Sequence, residues 1–312
     1  MSSPFIVSTN ISSCKGDKKK SPVKEIILNA MGISGDIHAG YGNRQVSILG
    51  EESFDGFFAR TGKKVYPGDF AENLTIRGID LTKVALLGRL IIGDSVVLEI
   101  AKLGKKCYGD VCSIFQEFGP CAMSKEGVFA RVINGGAIKA LDPIKYLPRP
   151  LQVLIVTLSD RAFNGIYEDK SGPLARQLIE KFFTDKRWHL QITSELLPDD
   201  AGLLAGLLEK TITANVDIVI TVGSTGIGPR DIAPDVVGKI CDKFIPGVME
   251  NIRIKYAVNK PAALLSRGMV GIKNTTQVYT LPGSARAVEE YLTEIFKTLE
   301  HTLYMLHGVD AH

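Results

Sequence analysis

The sequence predicts two unlike domains: a β-rich first domain with a barrel-like fold, and an α/β second domain with a three-layer, doubly wound, mostly parallel sheet. Short β-like runs fill the first half of the chain, whereas apolar strand-length runs alternate with amphipathic helical stretches in the second. Charge divides in the same way, because residues 1–149 carry 20 basic and 15 acidic side chains and the remainder carries 17 and 19. Prolines interrupt residues 148–150, so we place the linker there.

Composition excludes several classes of protein. With 45% hydrophobic and 23% charged residues among 312, the chain is globular rather than disordered. A formal charge of +3 is too small for a dedicated nucleic-acid binder, and no apolar stretch approaches the roughly 20 residues of a membrane helix. The polar segment 1–22, with its Lys18-Lys19-Lys20 run, has no signal-peptide core, so we expect a cytoplasmic protein with free thiols.

The first domain is predicted over residues 23–147 as many short strands separated by glycine, Asn or Asp. Glycine pairs such as Gly135-Gly136 lie between strands, where a positive φ is accessible to glycine. Closely spaced short strands favour a barrel or a rolled sheet. The predicted strands are Val23–Leu28, Gln45–Leu49, Asn73–Ile76, Leu90–Ile92, Ser95–Ile100 and Val128–Ile133.

The second domain, residues 151–312, begins with Leu151–Leu158, an apolar run typical of a parallel strand that is covered on both faces. Ser171-Gly172-Pro173 then opens an amphipathic helix. The alternation that follows indicates crossover helices on an open sheet. It comprises strands at Leu190–Leu197, Asp217–Val222 and Thr276–Leu281, helices from Ala201 and from Pro234, and a closing helix with a stripe through Val288, Leu292 and Leu299.

A glycine-rich loop, residues 221–231 with the sequence TVGSTGIGPRD, directly follows one predicted strand and precedes a helix. Glycine lets the backbone approach a ligand and turn N–H groups toward it, and hydroxyl side chains add donors, which suits phosphate oxygens. Arg230 and Asp231 offer a phosphate contact and a carboxylate for Mg²⁺, against the plainer interpretation of a surface ion pair. The residues suited to phosphate are Gly223, Ser224, Thr225, Gly226 and Gly228.

Three further polar clusters follow predicted strands. Because the carboxyl ends of parallel strands meet at one edge of a sheet, we expect these clusters to surround a polyanionic ligand together with the glycine-rich loop. Taken singly, each is ordinary loop chemistry, and Asp200 is typical of a helix N-cap. The clusters are Ser159-Asp160-Arg161, Pro198-Asp199-Asp200 and Pro282-Gly283-Ser284.

With these motifs in family order and spacing, residues 151–307 resemble the molybdopterin adenylyltransferases of molybdenum-cofactor biosynthesis. The resemblance rests on the clusters above together with Gly165, residues 167–169 (YED), Ser171-Gly172-Pro173, Pro246-Gly247 and Leu265-Ser266-Arg267. It implies that the terminal phosphate of molybdopterin attacks the α-phosphorus of Mg-ATP, and that pyrophosphate leaves. The implied substrates are therefore ATP and molybdopterin, and the implied metal is Mg²⁺. The resemblance also implies a homotrimer and contacts with other proteins of cofactor biosynthesis.

The resemblance also implies roles for individual residues. Asp199 and Asp231 occupy the essential carboxylate positions and would hold Mg²⁺. The amides of Gly223–Gly228 and the side chain of Arg230 would contact phosphate. Residues implied on the pterin or phosphate side are Ser159, Asp169, Ser171 and Gly172. Further cofactor-binding residues are predicted at Pro282, Gly283 and Ser284.

Two departures from the family pattern leave alternatives open. The usual TGGTG core has Ser224 in place of its second glycine, and Ala233 replaces a threonine of the next helix. Ser224 adds a side chain where glycine usually lets the ligand approach, so affinity or rate could suffer. The alternatives are a non-catalytic carrier of the cofactor and a nucleotide-hydrolysing relative that never handles pterin.

The first domain carries three cysteines in a basic setting, and neighbouring cations favour a thiolate. With no histidine between residues 88 and 150, a closed four-ligand zinc site is disfavoured. Residues 23–145 resemble the MOSC domain of molybdenum-cofactor sulfurases, through motifs at 35–40, 44–47, 68–75, 87–94 and 129–136. The resemblance implies cofactor binding or sulfur transfer, with the family cysteine at Cys107, extra thiols at Cys112 and Cys121, and anion contacts from Arg44, His38 and Lys105.

Overall fold

The computed structural model describes residues 3–14 and 19–309. The chain forms two compact units, Met1–Arg149 with Val309–His312, and Pro150–Gly308. Residues 15–18, which include the first lysine of the predicted lysine run, lie outside the described ranges. No helix within the described ranges is long and apolar enough to cross a membrane.

The first unit is built mainly from strands. They are β1 (Phe5–Ile11), β2 (Ser21–Val23), β3 (Glu25–Asn29), β4 (Gly32–Ile33), β5 (Val46–Gly50), β6 (Leu74–Arg77), β7 (Arg89–Ile92), β8 (Val96–Leu103), β9 (Val128–Asn134), β10 (Gly136–Lys139) and β11 (Ile144–Leu147). The helices are α1 (Glu52–Thr61) and α2 (Ser113–Phe118), with short 3-10 turns at Gly109–Val111 and Ala122–Ser124.

Eight of these strands form one curled sheet in the order β11-β7-β8-β9-β5-β6-β1-β2, and β10, β3 and β4 form a second sheet. The two ends of the large sheet approach each other, since Phe5 of β1 bridges to Pro143 and the Ile144 N–H donates to the Pro4 carbonyl at 3.0 Å. An aromatic cluster packs beside this sheet, with the rings of Phe57 and Phe70 edge to face at 5.1 Å.

The structure corrects the sequence analysis at two places in this unit. Residues 1–22 were expected to lie outside the first domain, yet they contain β1, which pairs with both β2 and β6. The run FIVSTNI is β-prone, and Ile6 is fully buried. Helix α1 was not predicted, although Phe54 and Phe57 bury one helical face.

The second unit alternates strands and helices. Its strands are β12 (Pro150–Leu158), β13 (His189–Leu197), β14 (Ile218–Val222), β15 (Lys243–Phe244), β16 (Val270–Lys273) and β17 (Thr276–Leu281). Its helices are α3 (Asp160–Phe163), α4 (Ser171–Phe183), α5 (Ala201–Thr213), α6 (Ala233–Ile240), α7 (Pro246–Ala257) and α8 (Ala285–Leu306), with a 3-10 turn at Pro261–Leu265.

The predicted α/β class of this unit is confirmed, with a sheet order of β13-β12-β14-β17-β16-β15. The first four strands are parallel, and β16 and β15 add an antiparallel edge. Leu154 and Val156 of β12 pack against α5 and α6 on one face, through a cluster that includes Leu204 and Val237. Intervening Ile155 is also fully buried, which is the burial pattern of a strand covered on both faces.

Candidate active site

The carboxyl ends of the parallel strands β12, β14 and β17 open into a cavity of about 850 Å³. All four loops that the sequence analysis singled out contribute to its walls, because parallel strands that are neighbours deliver their following loops to the same edge. The predicted site residues that line it are Ser159, Asp199, Gly223, Ser224, Thr225, Gly226, Arg230, Asp231, Pro282, Gly283 and Ser284.

The glycines of the loop after β14 are required by close packing. Gly223 has φ of 108°, and a Cβ there would lie 2.3 Å from the Leu158 carbonyl oxygen. A Cβ at Gly226 would lie 2.6 Å from Oδ2 of Asp231. The loop therefore folds tightly against β12 and on itself.

Two amides of this loop are used inside the protein. The Gly223 N–H donates to the Leu281 carbonyl at 2.8 Å, and the Gly228 N–H donates to Oδ2 of Asp231 at 2.8 Å. The expectation that all amides of Gly223–Gly228 face phosphate is therefore wrong for these two. Sequence alone could not reveal this, because the partners depend on how the loop closes.

Ser224 closes the loop rather than reaching across the cavity. Its backbone has φ of 58°, in the left-handed region, and its hydroxyl donates to the Arg230 carbonyl at 2.7 Å while accepting the Ile232 N–H at 2.8 Å. The expectation that this hydroxyl donates to phosphate is wrong, because its single proton is directed to the loop backbone.

Asp199 and Asp160 are held together by reciprocal backbone contacts. The Asp160 N–H donates to Oδ2 of Asp199 at 3.3 Å, and the Asp199 N–H donates to Oδ1 of Asp160 at 3.0 Å. Oδ2 of Asp160 also forms an ion pair with Arg230. Oδ1 of Asp199 is buried and has no hydrogen-bond partner among the described residues.

The implied Mg²⁺ can be tested against these carboxylates. The orphaned Asp199 oxygen is what a hard cation would need as a ligand. Asp231 lines the same cavity, and its Oδ2 accepts the hydrogen bond from the Gly228 N–H. Within the described ranges, no group of three or more His, Cys, Asp or Glu side chains could hold a metal ion. The residues present fit a cation that takes its remaining ligands from substrate or water.

Arg267 clamps the loop and was given no role by the sequence analysis. Its Nε donates to the Gly226 carbonyl at 2.7 Å and its Nη2 to the Asp231 carbonyl at 2.5 Å. Its guanidinium also forms two bonds with the Asp235 carboxylate, at 2.8 and 3.0 Å, which raise the pKa of Arg267 and lower that of Asp235. The sequence does place Arg267 in a family motif at residues 265–267, but the motif does not show which groups its side chain binds.

A second cavity of about 550 Å³ adjoins the first and shares Ser159 and Tyr167 with it, whose hydroxyls lie 2.8 Å apart. Asp169 and Ser171, two of the residues predicted to bind the cofactor, line this cavity. The Asp169 carboxylate already accepts the N–H groups of Ser171 and Gly172 at 2.9 and 3.0 Å, so it also caps α4.

In the first unit the three predicted cysteines have different environments. Cys107 is exposed and Cys112 is half-buried. Cys121 is buried in the aromatic cluster, and burial raises the pKa of its thiol. Arg44, the predicted anion contact, is exposed.

A buried polar network joins the first-domain motifs and was not foreseen. Asp36 accepts the Asn73 amide at 2.9 Å and lies 3.5 Å from the Lys20 ammonium. Lys20 and Glu72 are almost fully buried, and burial lowers the pKa of Lys20 and raises that of Glu72. The network shows that these motif residues tie loops together inside the sheet.

The fold and this site define an α/β domain with a polar cavity at the carboxyl edge of its sheet, the usual place for a ligand in such folds. Residues 154–301 match the model of the probable molybdopterin binding domain, and residues 34–145 match the MOSC domain. The chain belongs to the molybdopterin adenylyltransferase family and, as the sequence analysis predicted, joins such a domain to a MOSC domain.

Two relatives that are named molybdopterin adenylyltransferase support this assignment. The molybdopterin adenylyltransferase of Helicobacter pylori strain 26695 is 30% identical over 159 residues, which cover 51% of this chain and 89% of that protein. That of Escherichia coli K12 is 30% identical over 166 residues, 52% of this chain and 80% of that protein. A solved structure of MogA is 30% identical to this chain, with a TM-score of 0.45. The match covers 49% of this chain and 98% of the MogA chain.

Proposed function

We propose that the second unit transfers the adenylyl group of ATP to molybdopterin, as a step of molybdenum-cofactor biosynthesis. The observation that carries this proposal is the convergence of the glycine-rich loop, Arg230 and the carboxylates of Asp199 and Asp231 on one cavity of about 850 Å³. Loop amides and a guanidinium suit phosphates, and the aspartates suit a cation bound to them. The names of the family relatives supply the substrate class.

In the proposed reaction the terminal phosphate oxygen of molybdopterin forms a bond to the α-phosphorus of ATP. The bond between the α-phosphorus and the bridging oxygen breaks, and pyrophosphate leaves with that oxygen. Catalysis of this kind depends on alignment and charge neutralisation, so no covalent enzyme intermediate is needed.

Each group of residues would have its own role in this reaction. The amides of residues 224–227, which lie between the two internally bonded amides, and the Arg230 guanidinium would bind the ATP phosphates. Asp199 and Asp231 would hold Mg²⁺, which when bound supplies positive charge to phosphate oxygens. Arg267 would keep the Gly226 and Asp231 carbonyls turned away from the phosphates, because its guanidinium donates a hydrogen bond to each of them.

The smaller cavity would receive the phosphate or pterin end of molybdopterin. Ser171 and Gly172 begin α4 there, and Asp169 lies beside them. Because this cavity and the larger one share Ser159 and Tyr167, two substrates could lie side by side. Adjacency of this kind is what transfer between two bound phosphates requires.

For the first unit we propose binding of the cofactor or transfer of sulfur to it. The MOSC match supports this role, and exposed Cys107 is the proposed thiol. We further propose that the curled sheet is a barrel, which the bridge between Phe5 and Pro143 supports. The linker at 148–150 and the second-domain limits of 151–312 remain proposals.

We also propose a homotrimer. Its support is a set of exposed large apolar side chains on and after α7, because apolar side chains left in solvent are often covered by a partner. Sedimentation equilibrium tests it directly, and a monomer at micromolar concentration would contradict it. The side chains are Ile254, Val258, Leu264 and Leu265.

The test of the main proposal is pyrophosphate release from Mg-ATP by the purified protein, with and without molybdopterin. Asp199→Asn and Asp231→Asn should abolish molybdopterin-dependent release. Asp200→Asn is the matched control, since Asp200 caps α5 by accepting the Leu203 N–H at 2.9 Å and Asn can do the same.

The outcomes separate the candidate functions. Release that requires molybdopterin and is lost only in the two cavity variants supports adenylyl transfer. Tight pterin binding without release would contradict catalysis and indicate a carrier. Release that ignores molybdopterin would indicate a nucleotide-hydrolysing enzyme.

A further inference from the structure

Asp160 lies at the junction of two residues to which the proposed reaction gives different tasks. It is the first residue of α3, directly after β12, and its side chain is 29% exposed. Oδ1 accepts the Asp199 N–H at 3.0 Å, and Oδ2 is ion-paired with Arg230. Both of its carboxylate oxygens therefore have protein partners.

The contact with Asp199 determines where that carboxylate points. Because the Asp160 N–H occupies Oδ2 of Asp199, the other oxygen, Oδ1, is the one left buried without a partner among the described residues. The two reciprocal bonds also join the loop after β12 to the loop after β13. The Asp160 N–H thus decides which oxygen of Asp199 is left without a hydrogen-bond partner.

The contact with Arg230 acts on a flexible side chain. Arg230 is 63% exposed and belongs to the glycine-rich loop, so its guanidinium would otherwise sample many rotamers. A guanidinium has five N–H donors, and an ion pair at one edge leaves others for a phosphate. Arg230 also offsets the repulsion between the neighbouring carboxylates of Asp160 and Asp199.

We propose that Asp160 is a positioning residue whose carboxylate couples the backbone of Asp199 to the Arg230 guanidinium at the wall of the cavity. This inference rests on the proposed function, because it assigns both partners to ATP. Asp160 acts through these two residues, since its own oxygens are occupied.

The test compares Asp160→Asn with Asp160→Ala in steady-state pyrophosphate release. Asn retains an oxygen that can accept the Asp199 N–H but lacks the charge that pairs with Arg230. We expect Asp160→Asn to raise KM for ATP by about fivefold, the most that an exposed ion pair is typically worth, with kcat within about twofold of the wild type. Asp160→Ala should also lower kcat by roughly tenfold to a hundredfold, because the Asp199 N–H loses its acceptor and the loop that carries the Asp199 carboxylate is no longer held in place.

A double-mutant cycle separates positioning from a general structural effect. In an Arg230→Gln background, Asp160→Asn should leave KM for ATP unchanged, because its partner is already absent. Equal losses of kcat in both Asp160 variants, or additive effects on KM in the cycle, would overturn the proposal. Asp200→Asn again serves as the control.

Failure of this inference can be told apart from failure of the proposed function. Calorimetric titration with Mg-ATP measures affinity without turnover. If the wild type releases no pyrophosphate with molybdopterin, adenylyl transfer is contradicted, yet weaker ATP binding by Asp160→Asn still supports the coupling to Arg230. Unchanged ATP affinity in Asp160→Asn and in Asp160→Ala would overturn the coupling whatever the activity.

Discussion

The hydroxyl of Ser224 donates to the carbonyl oxygen of Arg230 at 2.7 Å, so the bond joins the two ends of the glycine-rich loop. It also accepts the Ile232 N–H at 2.8 Å. Ser224 itself has φ of 58°, a conformation in which glycine has no steric cost. The serine thus replaces a glycine of the family pattern at the cost of some backbone strain, and its side chain supplies two loop-closing bonds in return.

Substitution of Ser224 should reveal both effects. Ser224→Ala loses the two bonds and keeps the strained φ, so we expect a loss of about 1–3 kcal/mol in the free energy of unfolding. Ser224→Gly loses the same bonds but relieves roughly 1 kcal/mol of strain, so it should be the more stable variant. Urea unfolding followed by fluorescence of Trp188, the single tryptophan, reports on this unit. An alanine variant at least as stable as the glycine variant would contradict this account.

Arg267→Lys should weaken ATP binding although it keeps the charge. A lysine cannot reach the Gly226 and Asp231 carbonyls and the Asp235 carboxylate at once, so the loop loses its clamp. We expect KM for ATP to rise by about tenfold or more, measured by pyrophosphate release. Asp235→Asn is the control, because it leaves both carbonyl bonds in place and removes only an exposed ion pair worth at most about 1 kcal/mol. A larger effect from Asp235→Asn than from Arg267→Lys would refute the clamp.

Two glycine-to-alanine changes should act in opposite directions. At Gly172 an added Cβ would lie 2.4 Å from Oγ1 of Thr157 and 2.5 Å from Oδ2 of Asp169, so Gly172→Ala should cost about 1–3 kcal/mol. Gly206 lies inside α5 with nothing within 4 Å of an added Cβ, so Gly206→Ala should stabilise by about 0.5–1 kcal/mol. Both are measured by Trp188 fluorescence during urea unfolding. The same sign for both changes would be inconsistent with this packing.

Glu72 should make the first unit more stable in acid. Burial raises the pKa of its carboxyl above the ordinary 4.5, so the folded state holds the proton more tightly than the unfolded state. This contribution is fully present below pH 4.5 and is lost as the pH rises through the folded pKa. Glu72→Gln should therefore remove part of the fall in stability above pH 4.5.

Differential scanning calorimetry from pH 4 upward measures this effect, on the transition that Trp188 fluorescence does not report. Glu25→Gln is the control, because Glu25 is an exposed glutamate of the same unit. An unchanged pH dependence of stability in Glu72→Gln would show that the pKa of Glu72 is the same in the folded and unfolded states.

Much of the second unit was predictable because its signals are local. A strand covered on both faces must be apolar throughout, so Leu151–Leu158 was recognisable and the structure has β12 at Pro150–Leu158. Thr276–Leu281 was predicted with the limits it has in the structure. In the first unit, β1 was missed because the neighbours that make it a strand, β2 and β6, include one far away in sequence.

The sequence by itself determined the two-domain composition, the α/β class of the second unit, and which loops meet at the edge of its sheet, because each follows from local periodicity and from the direction of parallel strands. Only the tertiary structure decided which amides and side chains of those loops form hydrogen bonds inside the protein. Ser224 closes its loop, the Gly223 amide bonds to Leu281, and Arg267 binds two loop carbonyls. The physical reason is that hydrogen-bond partners are set by distances of a few tenths of an ångström between segments far apart in sequence, which no local pattern encodes.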